Sequence, residues 1–243
     1  FEFSNNSIMD KVPVNCAVIH NLKLWWPYGY GEANVYDAVA KIYSGGQLVH
    51  EEAAQFGLRT VELDHTDITD GKNGRFRFLI NGTEIMCKGS NWVPLDAFHC
   101  RDTQRYDAAL ALVKDIGCNI LRCWGGSVYE DHAFYDFCDR NGIMVWQDFS
   151  MACHYYPQSE DFLRTIEQEA EWVVRTYFNH PSIVGWCPLN ETHQVLHDRI
   201  TVLDDVTRAM FLATKLADPS RPVIDASGYS HRVAETDVYD SHS

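Results

Sequence analysis

The chain has 243 residues, of which 46% are hydrophobic and 22% are charged, a composition typical of a soluble globular protein that buries a core. Its 34 acidic and 20 basic residues give a net charge of −14, which argues against nucleic acid or an anionic membrane as the main partner, because both attract clustered Lys and Arg. No apolar run reaches the roughly 20 residues that a membrane helix needs.

Residues 1–65 are predicted to be part of a β-sandwich. Three β-type segments occur here, separated by Gly-rich turns: "VNCAVIHNL", "VYDAVAKIY" and "LVHEEAAQFGLRTVEL". Such spacing indicates antiparallel strands, although too few to close a sandwich. The polar stretch from Asp64 to Gly74 is a predicted linker, so we place the domain boundary between residues 65 and 66.

Residues 66–243 alternate between strands and helices. A hairpin comes first, with Asn81-Gly82 at its turn. Six candidate strands follow: "IMCKGSNW", "CNILRCW", "IMVWQDF", "SIVGWCPLNE", "PVIDAS" and "DVYDSHS". Helical patterns separate the first five of them: "TQRYDAALALVKDIG", "EDHAFYDFCDRNG", "SEDFLRTIEQEAEWVVRTYFNH" and "DDVTRAMFLATKLAD". Gly117 is the predicted end of the first helix and Ser159 the predicted start of the third.

This alternation indicates a parallel sheet covered by helices. A doubly wound sheet would carry a Gly-rich phosphate loop after its first strand, whereas this strand continues into "KGSNWVP". We therefore predict an α/β fold, namely a (β/α)8 TIM barrel that is incomplete at its C-terminal end, because the chain stops about two βα units short.

The eight cysteines are predicted to be reduced. Cys87, Cys118, Cys123 and Cys187 lie in apolar, strand-like runs, where a free cysteine behaves as a small hydrophobic residue. No C-x-x-C pair is present, which argues against a zinc cluster or a redox motif. Because free thiols are typical of reducing compartments, we expect a cytoplasmic protein.

Polar and aromatic residues fall at the C-terminal ends of the predicted strands, where barrel enzymes place their chemistry. In chain order they are Asn91, Trp92, Arg122, Trp124, Gln147, Asp148, Asn190, Glu191, Asp225 and His242. Structural alternatives exist for several: Arg122 could pair with Asp148, Trp124 could be core, and Asn190 or Glu191 could cap a helix. Together on one rim they predict a sugar site, because hydroxyls need paired donors and acceptors beside an aromatic platform.

A metal site is a rival interpretation of this rim. His193 and His197 stand four residues apart on a predicted helix and could share an ion. The zinc-hydrolase order H-E-x-x-H is not met, however, because Glu191 precedes both histidines. We therefore expect neither a metal nor a cofactor.

Several stretches between about Leu22 and Glu191 share motifs with one enzyme family. They are "LWWPYGYG", "FGLRTVEL", "FLINGTEIMCKGSNWVPLDAF", "NILRCWGGSVYEDHAFYDFCDRNGIMVWQDF" with "MACHYYP" after it, and "NHPSIVGWCPLNE". In them the chain resembles glycoside hydrolase family 2, and within it the β-mannosidase branch. The long block from Asn119 to Phe149 is the most specific. Mannosidases typically have "GNNE" where this chain has "CPLNE", and "WGGG" where it has "WGGS", so the sugar stays open.

The resemblance implies a retaining, exo-acting β-glycosidase with sandwich domains ahead of a (β/α)8 barrel. Residues 1–65 would then be part of an immunoglobulin-like β-sandwich, and residues 66–243 the first six or so βα units of the barrel. The roles that it implies are Glu191 as general acid/base, Asn190 as partner of the sugar 2-hydroxyl, Arg122 as support for the nucleophile, and Trp124 and Trp92 as walls of the terminal-sugar pocket. Asn91, Asp148 and His242 complete the predicted substrate-binding set.

Retaining hydrolysis needs a second carboxylate about 5–5.5 Å from the acid/base. In the family this nucleophile is a Glu on the seventh strand, whereas the chain ends at Ser243, in the sixth predicted strand. Asp148 and Asp225 are the nearby carboxylates, and we expect neither to substitute. The 243 residues alone are therefore predicted to be inactive.

Two further alternatives stay open. The sugar could be a β-galactoside, a β-glucosaminide or, least favoured, a β-glucuronide, because Arg122 is the only rim residue placed to attract an acidic sugar. A different class of function is a non-catalytic carbohydrate-binding or scaffold fragment, since an incomplete barrel exposes two sheet edges and lacks a nucleophile. The expected partner is in either case a β-linked oligosaccharide or glycoside, and homo-oligomerisation is left open.

Overall fold

A computed structural model of the chain describes residues 20–66, 72–192, 204–228, 233–234, 236–238 and 242. The first described strands, β1 (Tyr36–Ser44) and β2 (Gln47–Phe56), form an antiparallel hairpin. All seven cysteines in the described part of the chain are free thiols, as predicted. Among the helices described, none combines the length and the apolar character that crossing a membrane requires.

A second antiparallel sheet contains β3 (Val61–His65), β4 (Phe76–Ile80) and β5 (Thr83–Ile85). The predicted hairpin at Asn81-Gly82 is confirmed: both residues have positive φ, 53° and 74°, as a tight two-residue turn requires. β3 pairs with β4 across the predicted linker. The domain division between residues 65 and 66 stays a prediction.

The parallel sheet follows in chain order. It contains β6 (Gly89–Trp92), β7 (Ile120–Cys123), β8 (Met144–Asp148) and β9 (Ile183–Cys187). Pro188 interrupts the predicted fourth strand, because it has no N–H to donate, and the chain continues as β10 (Leu189–Asn190) beside β11 (Ala226–Ser227). A parallel bridge between Trp186 and Val223 brings the fifth predicted strand onto the same sheet.

Helices connect these strands as predicted. A 3-10 helix (His99–Gln104) leads into α1 (Tyr106–Asp115), and α2 (His132–Asn141), α3 (Glu160–Tyr177) and α4 (Asp204–Ala217) follow. Gly117 has a positive φ after α1, and Ser159 is the N-cap of α3. Gly142 ends α2 at φ 70°, and a Cβ there would lie 2.6 Å from the backbone nitrogen of Tyr28, so only glycine fits.

The two largest of three hydrophobic clusters in the described part of the chain lie on opposite sides of the parallel sheet's backbone. The larger one packs the sheet against the helices and includes Leu121, Phe134, Tyr135 and Trp186. The smaller one, which we call the amino-end cluster, comprises Trp25, Phe78, Ile80, Ile85, Met144 and Val184. Because Met144 and Val184 lie at the starts of β8 and β9, the β3–β5 sheet covers the amino ends of the parallel strands. The carboxyl ends of the parallel strands are not covered by this sheet, and a site can form there.

Candidate functional site

A cleft with a volume of about 590 Å³ lies at the carboxyl ends of the parallel strands. Its lining residues are Asn91, Val93, Arg122, Trp124, Asn190, Glu191 and His242. Six of the eight predicted site residues therefore meet in one place, and Trp92 and Asp148 do not line it.

Arg122 holds this rim together. Its Nη2 donates hydrogen bonds to Asp148 Oδ2 at 2.7 Å, Asn190 Oδ1 at 2.5 Å and Ser227 Oγ at 2.9 Å. Ser227 Oγ also donates to Asn190 Oδ1 at 2.9 Å. Because Asn190 Oδ1 already accepts from the protein, the amide is oriented with its NH2 group as the donor. One N–H bond points to Cys153 Sγ at 3.6 Å, and the second can donate to a ligand.

Asp148 lies behind Arg122, away from the cleft. Its side chain is 0% exposed, and its carboxylate accepts from Arg122 and from the backbone N–H of Gly125 at 3.1 Å. Burial raises the pKa of Asp148 to about 6, although the guanidinium of Arg122 opposes the shift. Asp148 thus forms the structural ion pair with Arg122 and does not line the cleft, and its contact with substrate stays a prediction.

Trp92 also lies outside the lining of the cleft. It is 6% exposed, its ring centroid lies 5.0 Å from that of Phe134, and its Nε1 donates to Glu130 Oε1 at 2.9 Å. Successive strand residues point to opposite faces, so Asn91 lines the cleft while Trp92 enters the core. It does not form a wall of the cleft.

Trp124 is the aromatic residue of the cleft. Its indole folds over Gly126, where a Cβ would lie only 2.0 Å from the Cη2 atom of the ring. The "WGGS" motif thus places glycine where any side chain would displace the indole. Trp124 is the surface against which the apolar face of a sugar can pack.

Glu191 follows β10 in a left-handed backbone conformation, with φ 51°, which is uncommon for a residue other than glycine. Its backbone N–H donates to Ser227 O at 2.7 Å. Its carboxylate lies 2.5 Å, Oε1 to Nδ1, from His242 and 3.5 Å, Oε2 to Sγ, from Cys153. A strained backbone and two side-chain partners hold this carboxylate at the cleft wall.

Cys153 and Ser227 are contacts that the sequence did not reveal. Cys153 has φ 52°, its backbone N–H donates to Asn190 O at 2.8 Å, and its Sγ lies 3.6 Å from Asn190 Nδ2. Burial, followed by the contact with Glu191, raises the pKa of the Cys153 thiol, so the thiol stays protonated and can donate to Glu191. The sequence could have indicated Ser227. It stands two residues after the predicted rim residue Asp225, and side chains two residues apart on a strand point to the same face.

The structure offers no substitute nucleophile among the described residues that line the cleft, where Glu191 is the only carboxylate. Asp225 is 0% exposed, and its two oxygens accept from the backbone of Ala226 and Val233. Residues 193–203 lie outside the described part of the chain. The metal hypothesis for His193 and His197 and the helix-cap alternative for Glu191 fall there and stay untested.

Comparisons with known proteins identify the family and the fold. Residues 72–242 match the model of the family described as glycosyl hydrolases family 2, TIM barrel domain, and residues 3–59 match a second model of glycosyl hydrolases family 2. The predicted fold class, a barrel preceded by part of an immunoglobulin-like sandwich, is thereby confirmed.

Individual relatives are β-mannosidases. The chain is 41% identical over 186 residues to a beta-mannosidase of Capra hircus, a match that covers 76% of this chain and 21% of the relative. It is 40% identical over 173 residues to beta-mannosidase B of Emericella nidulans, covering 71% and 20% of the two proteins. The crystal structure of a beta-D-mannosidase from Dictyoglomus thermophilum superposes with a TM-score of 0.80 at 36% identity, over 92% of this chain and 28% of that one.

The chain spans about a fifth of the length of these curated relatives. Its TIM barrel match covers more than half of its own residues, and the matched segment contains the whole cleft. The chain belongs to glycosyl hydrolase family 2.

Proposed function

We propose that the full-length protein carrying this chain is a retaining exo-β-glycosidase that hydrolyses terminal β-mannosides, with Glu191 as the general acid/base. The observation that carries the proposal is the position of Glu191 in the cleft, beside Asn190, Arg122 and Trp124, in a chain about 40% identical to β-mannosidases. The mechanism needs a second carboxylate, which we propose lies outside the residues of this chain.

In the first step Glu191, in its protonated form, donates its proton to the glycosidic oxygen while the nucleophile attacks the anomeric carbon. The bond to the leaving group breaks and a glycosyl ester forms. In the second step Glu191 takes a proton from water, which attacks the ester and releases the sugar with retained configuration. His242 Nδ1, 2.5 Å from Glu191 Oε1, keeps the carboxylate in place through both steps.

The other cleft residues bind and orient the sugar. The Asn190 NH2 group would donate to the 2-hydroxyl, because its oxygen is engaged by Arg122 and Ser227. Trp124 would pack against the ring, and Asn91 would bond a further hydroxyl. Arg122 would support the nucleophile from a position fixed by Asp148.

The test compares kcat/KM for aryl β-mannosides, β-galactosides and β-glucosaminides in the full-length protein and in Glu191→Gln. We expect the mannoside to react fastest, and the variant to lose about 10²–10⁴-fold on poor leaving groups and much less on good ones, because only poor leaving groups need the proton. Glu167→Gln, at an exposed position on α3, is the matched control. A faster galactoside would overturn the sugar assignment, and an unchanged Glu191→Gln would overturn the role of Glu191.

A second candidate function is carbohydrate binding without turnover. It is favoured by the observation that Glu191 is the only carboxylate among the described residues that line the cleft. Calorimetric titration of the full-length protein with a thio-linked β-mannoside, set beside the hydrolysis assay, separates the two functions. Binding with no product release would support this candidate, and release would exclude it. The cytoplasmic location stays a prediction.

A further inference from the structure

A group of potential metal ligands lies behind the cleft, on the core side of Trp92. It consists of His99, Asp102 and Glu130, and we call it the His99 cluster. One ligand atom from each residue can be chosen so that all three lie within 4.8 Å of one another. His99 and Asp102 belong to the 3-10 helix, and Glu130 precedes the N-cap of α2.

Both carboxylates of the His99 cluster are buried. Asp102 is 0% exposed and Glu130 is 1% exposed. Asp102 Oδ2 lies 2.9 Å from His99 Nδ1, whereas Asp102 Oδ1 has no hydrogen-bond partner among the described residues. A carboxylate oxygen buried without a partner costs several kcal/mol, so it indicates a ligand that satisfies it.

Positive charge is scarce around this pair. Within the described part of the chain, no Lys or Arg side chain forms an ion pair with Asp102 or Glu130, and His99 is the single cationic candidate. Two buried carboxylates without a Lys or Arg partner favour a bound cation.

Glu130 is already oriented as metal-bound carboxylates usually are. Its Oε1 accepts from Trp92 Nε1 at 2.9 Å, and its Oε2 accepts from Tyr106 Oη at 2.5 Å. Such outer hydrogen bonds fix the ligand while leaving lone pairs on each oxygen for an ion.

We propose that the His99 cluster binds one divalent cation of the zinc type, through one imidazole nitrogen and two carboxylate oxygens. This donor set suits Zn²⁺, which takes three protein ligands and a water, better than Ca²⁺ or Mg²⁺, which prefer more oxygen ligands. The His99 side chain is 32% exposed and provides the route of entry. The sequence predicted no metal, and its one metal hypothesis concerned other histidines.

The bound cation ties two segments together. The 3-10 helix ends the loop that follows β6. Asn91, in β6, and Val93, directly after it, line the cleft. Glu130 belongs to the segment between Trp124 and α2. A shared ion therefore fixes one wall of the cleft from behind, whichever glycoside the cleft accepts.

The test uses the full-length protein, stripped with a chelator and dialysed against Zn²⁺ or Co²⁺. Metal analysis gives the stoichiometry, Co²⁺ absorption reports the donor set, and thermal unfolding reports the coupling to stability. We expect one equivalent of Zn²⁺, a higher Tm in its presence, and loss of both effects in Asp102→Asn. Tyr106→Phe should weaken Zn²⁺ binding by about 10- to 100-fold, because it removes an outer hydrogen bond.

Three variants keep the outcome decisive. His99→Gln, at a partly exposed position, removes a ligand without disturbing the core and decides the question if Asp102→Asn does not fold. Asp107→Asn, exposed on α1, is the matched control and should bind as the parent does. Asp136→Asn examines a second group, Asp136, Asp139 and His180. The proposal is overturned if the parent binds no stoichiometric Zn²⁺, if binding survives both Asp102→Asn and His99→Gln, or if Asp136→Asn alone abolishes it.

Discussion

The two ends of the parallel sheet are built from the same strands but from opposite kinds of residue. On β8, Met144 and Trp146 pack with the amino-end cluster, whereas Asp148, on the same face and two residues further on, pairs with Arg122 at the carboxyl end. On β7 the change from Ile120 to Arg122 also takes two residues. On both strands the amino end packs in a hydrophobic cluster and the carboxyl end carries polar residues of the candidate site, the arrangement found in barrel enzymes.

The backbone shows the same difference. At the carboxyl end, Cys153 and Glu191 adopt positive φ angles of 52° and 51° without being glycine. At the amino end, the positive φ falls on Asn81, a residue that tolerates it in a tight turn. Strain is therefore concentrated beside the candidate acid/base, where the hydrogen bonds among residues 151–153, 190 and 227 hold it in place.

The largest effect is expected for Arg122→Ala at the carboxyl end. The change leaves the buried carboxylate of Asp148 without its counter-charge, so we expect a loss of about 3–5 kcal/mol in the free energy of unfolding, together with loss of glycosidase activity. Denaturant unfolding and kcat/KM measure the two effects. Arg122→Lys is the control, which keeps the charge but not the forked geometry. A stable Arg122→Ala protein would mean that the ion pair does not hold the rim.

A substitution at the amino end should lower the stability of the protein without changing its catalytic activity. Ile80→Ala creates a cavity in the amino-end cluster, and we expect it to cost about 3 kcal/mol with kcat/KM per folded molecule unchanged. Denaturant unfolding tests the predicted loss of stability, and a glycosidase assay on the folded fraction tests the unchanged kcat/KM. Val39→Ala, at an exposed position on β1, is the control and should change neither. A fall in kcat/KM for Ile80→Ala would contradict the expectation that the amino end contributes to stability and not to catalysis.

A pH dependence follows from Asp148. Its folded-state pKa, about 6, lies above its ordinary value of 3.8, so its contribution to stability is fully present below pH 3.8 and is lost as the pH rises through 6. The free energy of unfolding, taken as parent minus Asp148→Asn, should therefore fall by on the order of 2–3 kcal/mol between pH 4 and pH 7. Urea unfolding at several pH values measures it. A difference that rises with pH would show that Arg122 lowers this pKa below its ordinary value.

The smallest effect is expected for Cys153→Ala. It removes one weak donor to Glu191 and one contact with Asn190, so kcat/KM should fall by roughly 3- to 10-fold, equivalent to about 1 kcal/mol. Cys153→Ser supplies a hydroxyl donor at the same position and should recover most of the loss. Equal activity in Cys153→Ala and the parent would show that the strained backbone, and not the thiol, positions Glu191.

Much of the fold could be predicted because its signals are local. The Asn81-Gly82 turn, the end of α1 at Gly117 and the start of α3 at Ser159 each depend on a residue and its neighbours. The rule that chemistry collects at strand ends brought Asn91, Arg122, Trp124, Asn190, Glu191 and His242 together.

The contacts that the sequence left undetermined have a different origin. Asn91 and Trp92 are adjacent, and which of the two faces the cleft depends on the phase of β6, which a four-residue strand does not reveal. Asp148 suits a site or an ion pair equally well until the position of Arg122 is known. Cys153 lies in a loop without periodicity, and its contact with Glu191 arises from tertiary packing.

The most direct test of the central claim follows the full-length Glu191→Ala variant on an aryl β-mannoside with a good leaving group, with and without azide. If Glu191 is the acid/base of a retaining enzyme, the glycosyl ester accumulates, and azide restores turnover and yields a β-mannosyl azide, because the small anion needs no general base. If azide has no effect and the variant hydrolyses poor leaving groups at the parent rate, Glu191 is not the acid/base and the account of this cleft is wrong.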